Sequence, residues 1–357
     1  MMEWVPLPTA EAWRFRGIEL YFCNSQNPFG RKRCRTLEIR TPRCARVEPF
    51  AAARLTLGAV VLVVAAASDL RTRRVRDPMW IGLGTAGLLL ASAELVRDAA
   101  TVESYAVVAA TAILFYVIFF GKPMFEDDGF HARPLRIALF ALAAILLAAS
   151  FWRVIVQGQT GTVPFAELFT MPIMVLVYQG FYQLHLLHGG ADTKGLIAIT
   201  LLVPTYPTLQ EGFPIFALDP RVESAVGLVF PFSLTVLVNA AVLVLLVPVA
   251  YLVYNAVRGD LKFPMTFLGY RAELDRLPRH VWLMEQIDER GEHLVVLFPK
   301  RGEDRDATVD RLRRAGIREA WVQPKLPFMV PLLGGFLLAF IVGNVLLAFL
   351  GAVLPVP

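Results

Sequence analysis

The sequence predicts an all-α polytopic membrane protein with about eight transmembrane helices, one of them short or broken, and a small cytoplasmic α/β insert before the last helix. Three observations predict this fold. Of the 357 residues, 56% are apolar and only 18% are charged, whereas soluble domains average about 25% charged residues. The apolar residues form runs long enough to cross a bilayer, which takes about 20 residues. The charged residues concentrate between these runs and in one stretch near the C-terminus. A purely soluble enzyme, a disordered chain and a disulfide-stapled domain are therefore excluded.

Residues 1–49 are predicted to form a basic N-terminal tail. They hold nine Lys or Arg residues and no long apolar run, so they do not form a secretory signal peptide, which needs an apolar core after its basic region. The three cysteines, Cys23, Cys34 and Cys44, also lie here. Their spacing matches no regular metal pattern, which favours free thiols over a metal site. Two interpretations stay open: the tail is flexible, or the natural start of the protein lies further in.

Residues 50–257 are predicted to form the membrane-embedded core. Its long apolar runs cover about 50–68, 79–97, 101–120, 134–152, 168–187 and 226–256. A further run near 195–210 is short and ends in Pro204 and Pro207. Interrupted spans are tolerated only where protein or a water-filled cavity covers the freed backbone. The region 188–210 is therefore unusual.

Residues 258–326 are charged and predict a small α/β module. His280–Ile287, His293–Pro299 and Ala320–Val322 are predicted as strands, and Ala307–Ala315 as a helix. The chain then continues into residues 327–357, where an apolar run over about 327–354 predicts the final transmembrane helix.

Positive charge divides the loops into two sets. The loops after the first, third and fifth spans hold eight Lys or Arg residues, and the loops on the other side hold three. The positive-inside rule makes the first set and the 258–326 module cytoplasmic, with both ends of the eight-span core outside. The basic tail contradicts this orientation, because it would have to cross the membrane. We favour a tail that is not part of the natural protein over an error in the number of spans.

Two aspartates are the candidates for chemistry. Asp69 ends the first span and Asp192 follows the fifth. Both spans run from outside to inside, so both carboxylates are expected at the cytoplasmic boundary, and acids in or beside the membrane are functional candidates. Two carboxylates that meet can share one proton and activate a water molecule. Taken singly, Asp69 fits an interfacial charge and Asp192 fits a helix cap; taken together, a functional pair is favoured.

A family resemblance rests on the segments around these aspartates, SDLRTR over 68–73 and GGAD over 189–192. The chain resembles the type IV prepilin peptidase family, and more closely its archaeal preflagellin (prearchaellin) peptidases, which are membrane aspartic peptidases of the GxGD type. In that family one catalytic Asp closes an early transmembrane helix before a basic stretch, and the second closes a G-x-G-D motif. Ala191 stands where the motif has its second Gly, and alanine makes a left-handed φ unfavourable. The similarity extends loosely over residues 50–355.

The resemblance implies a catalytic pair, Asp69 and Asp192, with Gly189, Gly190 and Ala191 as the motif loop. It implies archaellin or type IV pilin-like precursors as substrates, each with a short basic leader before an apolar helix, cut at the cytoplasmic face of the cell membrane. No cofactor is implied. The chain lacks the CxxC pairs of the zinc site in bacterial relatives, so no metal is expected. The lipid bilayer is an expected partner and nucleic acid is not, because the basic residues lie in short loops.

Two neighbours of Asp192 have open roles. Lys194 either lowers the pKa of Asp192 or marks the cytoplasmic edge. His188 is a candidate to tune Asp192, although an ordinary hydrogen-bonded histidine at a helix end is favoured.

Two other functions are weighed against the peptidase. One is an ion- or proton-coupled secondary transporter that uses Asp69 and Asp192. Transporters place such acids near the midplane of two repeated halves, and the two halves of this chain share no pattern. The other is an anchor protein that works through the 258–326 module.

Overall fold

The computed structural model describes twelve stretches of the chain: residues 4–7, 10–15, 18–22, 48–120, 125–126, 129–156, 165–187, 189–207, 214–215, 230–288, 291–297 and 304–353. The chain divides into two compact units, Met1–Glu48 and Pro49–Pro357. The first unit contains β1 (Trp4–Leu7), β2 (Ala10–Phe15) and β3 (Ile18–Phe22), an antiparallel sheet in the order β1-β2-β3. The sequence had indicated no secondary-structure element in this segment. The three cysteines lie outside the described residues.

The second unit begins with a bundle of apolar helices, and six of the described helices are long and apolar enough to cross a membrane. The predicted polytopic α-helical fold is confirmed. The six are α1 (Pro49–Thr72), α2 (Asp77–Arg97), α3 (Val102–Phe119), α4 (Pro134–Phe151), α5 (Phe165–Gln183) and α7 (Phe232–Arg258). A two-residue hairpin, β4 (Phe125–Glu126) and β5 (Gly129–Phe130), precedes α4, and a π-helical turn, Trp152–Val156, follows it.

The sequence explains where several of these helices begin and what they face. Prolines stand in the first turns of α2 and α4, where the missing N–H would be unpaired in any case. Large apolar side chains such as Leu89 and Leu245 are about two-thirds exposed (66% and 69%) on the outer faces of the bundle. Such faces are unfavourable in water and suit lipid. The chain is a multi-pass membrane protein.

The short predicted span near 195–210 is a buried helix, α6 (Gly190–Leu202), at the centre of the bundle. Its residues 195–202 are all buried. A Cβ on Gly87 of α2 would lie 2.5 Å from the backbone nitrogen of Leu202, so only glycine permits this close approach. The helix ends before Pro204, as the sequence indicates. Because protein surrounds α6, its length is not set by the thickness of a bilayer.

The last apolar run, over 327–354, forms two helices, α9 (Met329–Ile341) and α10 (Val345–Val353), in place of one continuous helix. Gly343 adopts a φ of +94° at the break. The side chain of Asn239 on α7 donates to the carbonyl of Gly343 (2.9 Å) and accepts from the N–H of Val345 (3.1 Å). Asn239 thus satisfies the backbone groups that the break frees.

The insert before α9 is a small α/β module, as predicted. One antiparallel sheet has the order β6-β10-β7, with β6 (Tyr270–Glu273), β7 (Val281–Leu283) and β10 (Glu319–Pro324). The hairpin of β8 (Glu285–Ile287) and β9 (His293–Val295) forms a second sheet. The predicted strand His280–Ile287 is therefore divided between the two sheets.

A helix, α8 (Arg305–Arg314), packs on the sheet through Val309 and Leu312. It begins two residues earlier than predicted because the side chain of Asp304 caps it, accepting from the N–H of Asp306 at 3.0 Å.

Candidate active site

A cavity of about 620 Å³ lies where α1 ends and where α6 and α9 begin, and both candidate aspartates line it. The sequence predicts that the two carboxylates reach the same end of the bundle, and the structure brings them together. The cavity is lined by Asp69, Arg73, Arg74, Val75, Gly189, Gly190, Ala191, Asp192, Trp282, Lys325, Leu326, Phe328 and Met329. Its walls therefore come from the two aspartate segments, from the insert and from the start of α9.

Asp69 lies in the last turn of α1 and is half-buried. Its Oδ2 accepts a hydrogen bond from the backbone N–H of Met329, the first residue of α9, at 3.3 Å. The first N–H groups of a helix lack partners within it and favour negative charge. The helix that follows the insert thus fixes and stabilises the Asp69 carboxylate.

Asp192 lies in the first turn of α6, three residues after the N-cap residue Gly189. The N–H of Asp192 donates to the carbonyl of Gly189 at 3.1 Å. The Asp192 carboxylate folds back over Gly189 and occupies the place where a Cβ on that glycine would lie. Asp192 does not cap the helix, because Gly189 holds the N-cap position and no side chain makes a capping bond there.

The other two residues of the motif loop have different surroundings. A Cβ on Gly190 would be in ordinary contact with the ring of Tyr182, at 3.7 Å. Ala191 lies inside α6 and packs against the core of the bundle. A helical residue needs no left-handed φ, so alanine fits where the motif has its second glycine.

The environment of Asp192 favours its protonated form. Asp192 lies outside the six candidate membrane spans, and burial together with the negative charge of Asp69 raises its pKa to about 7 from an ordinary 3.8. A carboxyl that keeps its proton near neutral pH can donate a hydrogen bond, while a neighbouring ionised carboxylate can only accept. Two carboxylates in one cavity can therefore act as an acid and a base.

Lys194 forms an ion pair with Asp77. Its Nζ lies 2.6 Å from Oδ2 of Asp77, in the first turn of α2, and 5.7 Å from the centre of the Phe119 ring. The two alternatives for Lys194, lowering the pKa of Asp192 or marking the cytoplasmic edge, both stay predictions. His188 lies outside the described residues, and its neighbour His185 is exposed and does not line the cavity.

The insert also reaches the cavity, which the sequence did not indicate. Trp282 of β7 lines it, and Nζ of Lys325 lies 5.0 Å from the centre of the Trp282 ring. The backbone N–H of Lys325 donates to the carbonyl of His280 at 2.9 Å, which ties the chain entering α9 to the module. The one feature of the sequence that could have indicated this contact is the position of Lys325 beside the predicted start of the last span. No feature of the sequence indicated that Trp282 and Phe328 line the cavity, because this depends on how the insert packs in the folded protein.

Two family models match separate parts of the chain. The Type IV leader peptidase family model matches residues 56–129, which include Asp69. The model described as Archaeal Peptidase A24 C-terminus Type II matches residues 261–345, which include most of the insert and Met329. The fold and these matches define a membrane peptidase, a hydrolase. Both matches support the prepilin/preflagellin peptidase family. Asp192 lies between the two matched segments, and no curated protein matches the chain.

Proposed function

We propose that this prepilin-type leader peptidase is a membrane-embedded aspartic endopeptidase. It removes the short basic leader from archaellin or type IV pilin-like precursors at the cytoplasmic boundary of the cell membrane. One observation carries the proposal: Asp69 and Asp192, from distant parts of the chain, line the same cavity. The positive charge of the loops on that side supports a cytoplasmic orientation.

The reaction uses the two carboxyl groups in different states. Asp69, ionised, takes a proton from a water molecule as the water oxygen attacks the carbonyl carbon of the scissile peptide bond. Asp192, which keeps its proton, gives it to the carbonyl oxygen, and a tetrahedral diol forms. Asp192 then withdraws a proton from the diol, and Asp69 delivers its proton to the leaving nitrogen as the C–N bond breaks. The raised pKa of Asp192 supports this assignment.

The size and surroundings of the cavity suit a precursor. A cavity of about 620 Å³ holds a short stretch of peptide in the way that other binding sites hold their ligands. The peptide at the cut must be extended, because a helix hides its carbonyl groups. Leu326 and Phe328 provide apolar contacts at the edge of the cavity. The apolar segment of the precursor can remain in lipid beside the bundle.

The test is cleavage of a precursor in membranes that contain the wild type, Asp69→Asn or Asp192→Asn. Asp98→Asn is the matched control, because Asp98 lies at the opposite end of α2 and bonds to Arg97. We expect the wild type and the control to shorten archaellin or pilin precursors, while the two cavity variants accumulate normally and are inactive. Cleavage by both cavity variants would contradict the proposal. Ion flux through the wild type, with every precursor left intact, would favour the transporter.

A further inference from the structure

Arg73 lines the cavity from the turn that follows α1, and part of its guanidinium is buried. It lines the cavity together with Asp69 and Asp192. Its Nε and Nη1 are buried, and neither makes a hydrogen bond within the part of the chain that the structure describes. Arg73 also forms no ion pair with any described carboxylate. Burying a charged donor without an acceptor is costly, so such a group calls for an explanation.

The backbone of Arg73 is equally unusual. Its φ is +55°, a left-handed conformation that glycine normally provides at the end of a helix. The N–H of Arg73 donates to the carbonyl of Asp69 at 3.0 Å, which closes α1. The hydroxyl of Ser68 donates to the carbonyl of Arg74 at 2.7 Å and holds the turn. The fold thus keeps an arginine, at a cost in strain, at the position that brings a cation into the cavity beside Asp69.

Neither of the two cavity carboxyl groups pairs with Arg73 among the described residues. Oδ2 of Asp69 already accepts from Met329, and Asp192 is folded over Gly189 and favours its protonated form. An extended peptide supplies the missing groups, because each of its main-chain carbonyl oxygens is a free acceptor. A hydrogen bond from a charged donor to such an oxygen is stronger than one between neutral groups.

We propose that Arg73 binds the main chain of the substrate beside the aspartate pair, by turning its guanidinium toward the cavity and donating hydrogen bonds from it to peptide carbonyl oxygens. The inference rests on the proposed peptidase function. Arg73 holds the extended peptide so that the scissile carbonyl faces the two carboxyl groups. It thus contributes to catalysis by positioning the substrate. Because every peptide has these carbonyls, the contact is independent of the side chains next to the cut.

The test compares Arg73→Gln, Arg73→Lys and Arg73→Gly in the full-length protein in liposomes, with a precursor that the wild type cuts. Arg71→Gln is the matched control, because Arg71 lies on the same helix end, is exposed and does not line the cavity. We expect Arg73→Gln to lower kcat/KM by about 10- to 100-fold, mainly through KM, as expected for the loss of a charged hydrogen bond. Arg73→Lys retains part of the activity, and the control retains all of it.

Arg73→Gly separates binding from folding. Glycine relieves the left-handed strain, so this variant is expected to unfold at the wild-type temperature or above it while losing as much kcat/KM as Arg73→Gln. A joint loss of activity and stability would assign Arg73 a structural role and overturn the inference.

Three other results for Arg73→Gln would also overturn the inference. The variant could keep the wild-type kcat/KM, or it could show a shifted pH profile with an unchanged KM. Its loss of kcat/KM could also disappear when acidic residues of the precursor near the cut are neutralised. Failure of the proposed function itself is distinct, since it appears as an inactive wild type or as an active Asp192→Asn.

Discussion

The carboxylate of Asp192 lies over the Cα of Gly189, in the space that a Cβ on that residue would occupy. Gly189 has a φ of −98°, which any residue adopts without strain. The requirement for glycine at this position is therefore one of space for the carboxylate and not of backbone conformation. The first glycine of the motif allows the aspartate of the same helical turn to fold back at the cavity wall.

Gly189→Ala is expected to displace the Asp192 carboxylate and to lower kcat by about 100-fold, a typical cost of moving a reacting group by about 1 Å. Two glycines serve as controls. Gly180 in α5 has no neighbour within 4 Å of its Cβ position, so Gly180→Ala should keep full activity and gain up to about 1 kcal/mol of stability. In Gly190→Ala the new Cβ would make only an ordinary van der Waals contact with Tyr182, so this variant should also remain active. The measurement is kcat for precursor cleavage by the three variants. A wild-type kcat in Gly189→Ala would show that the Asp192 carboxylate does not need the space over Gly189.

The pH dependence of cleavage follows from the raised pKa of Asp192. The carboxyl must be protonated to act as an acid, and its pKa is about 7. Activity should therefore decline as pH rises through about 7, whereas an aspartate at its ordinary value of 3.8 would have lost its proton long before. The measurement is kcat/KM of the wild type between pH 5 and 9 (about the range in which membrane preparations stay intact). A profile that is flat across neutral pH would contradict the assignment of the acid.

Lys194→Gln tests whether Lys194 tunes the pair. Its Nζ pairs with Asp77 at 2.6 Å, so we expect the alkaline limb of the pH profile to remain where it is. If Lys194 lowered the pKa of Asp192, removal of its positive charge would raise that pKa and move the limb to higher pH. The lost ion pair is partly exposed and should cost at most about 1 kcal/mol of stability.

The insert is expected to take part in substrate binding, because Trp282 lines the cavity. Trp282→Ala removes an aromatic surface and should raise KM by up to about tenfold with little change in kcat. Trp152→Ala is the matched control, since Trp152 is an exposed tryptophan in the turn after α4 and lies outside the cavity lining. Kinetics on purified protein give both constants, and an unchanged KM in Trp282→Ala would remove the insert from the substrate site.

The fold was predictable where run length and composition determine it. The first apolar run predicts a span over 50–68, and the observed helix, α1, continues to Thr72. Three of the four residues in this extension are polar, and the hydroxyl of Thr72 donates a hydrogen bond to the carbonyl of Ser68 at 2.9 Å. The extension places Asp69 inside the last turn and not at the helix end. The short strands of the insert were harder to predict, since β6 and β7 acquire their partners only through β10, much later in the chain.

The candidate site was predictable in part. Counting spans predicts that Asp69 and Asp192 reach the same end of the bundle, because membrane topology is itself coded in loop charge. The bond from Met329 to Asp69 and the wall formed by Trp282 required the structure. Both depend on where the insert and the start of α9 lie relative to the two aspartate segments, which no local pattern of residues encodes.

The central claim is that Asp69 and Asp192 act as one unit. The most direct test is a double-mutant cycle of precursor cleavage with Asp69→Asn, Asp192→Asn and the double variant. If the carboxyls share one catalytic event, each single variant should lose about as much kcat as the double variant, because residues that act together are strongly non-additive. Losses that multiply in the double variant, or a single variant that still cuts at the wild-type rate, would contradict the account.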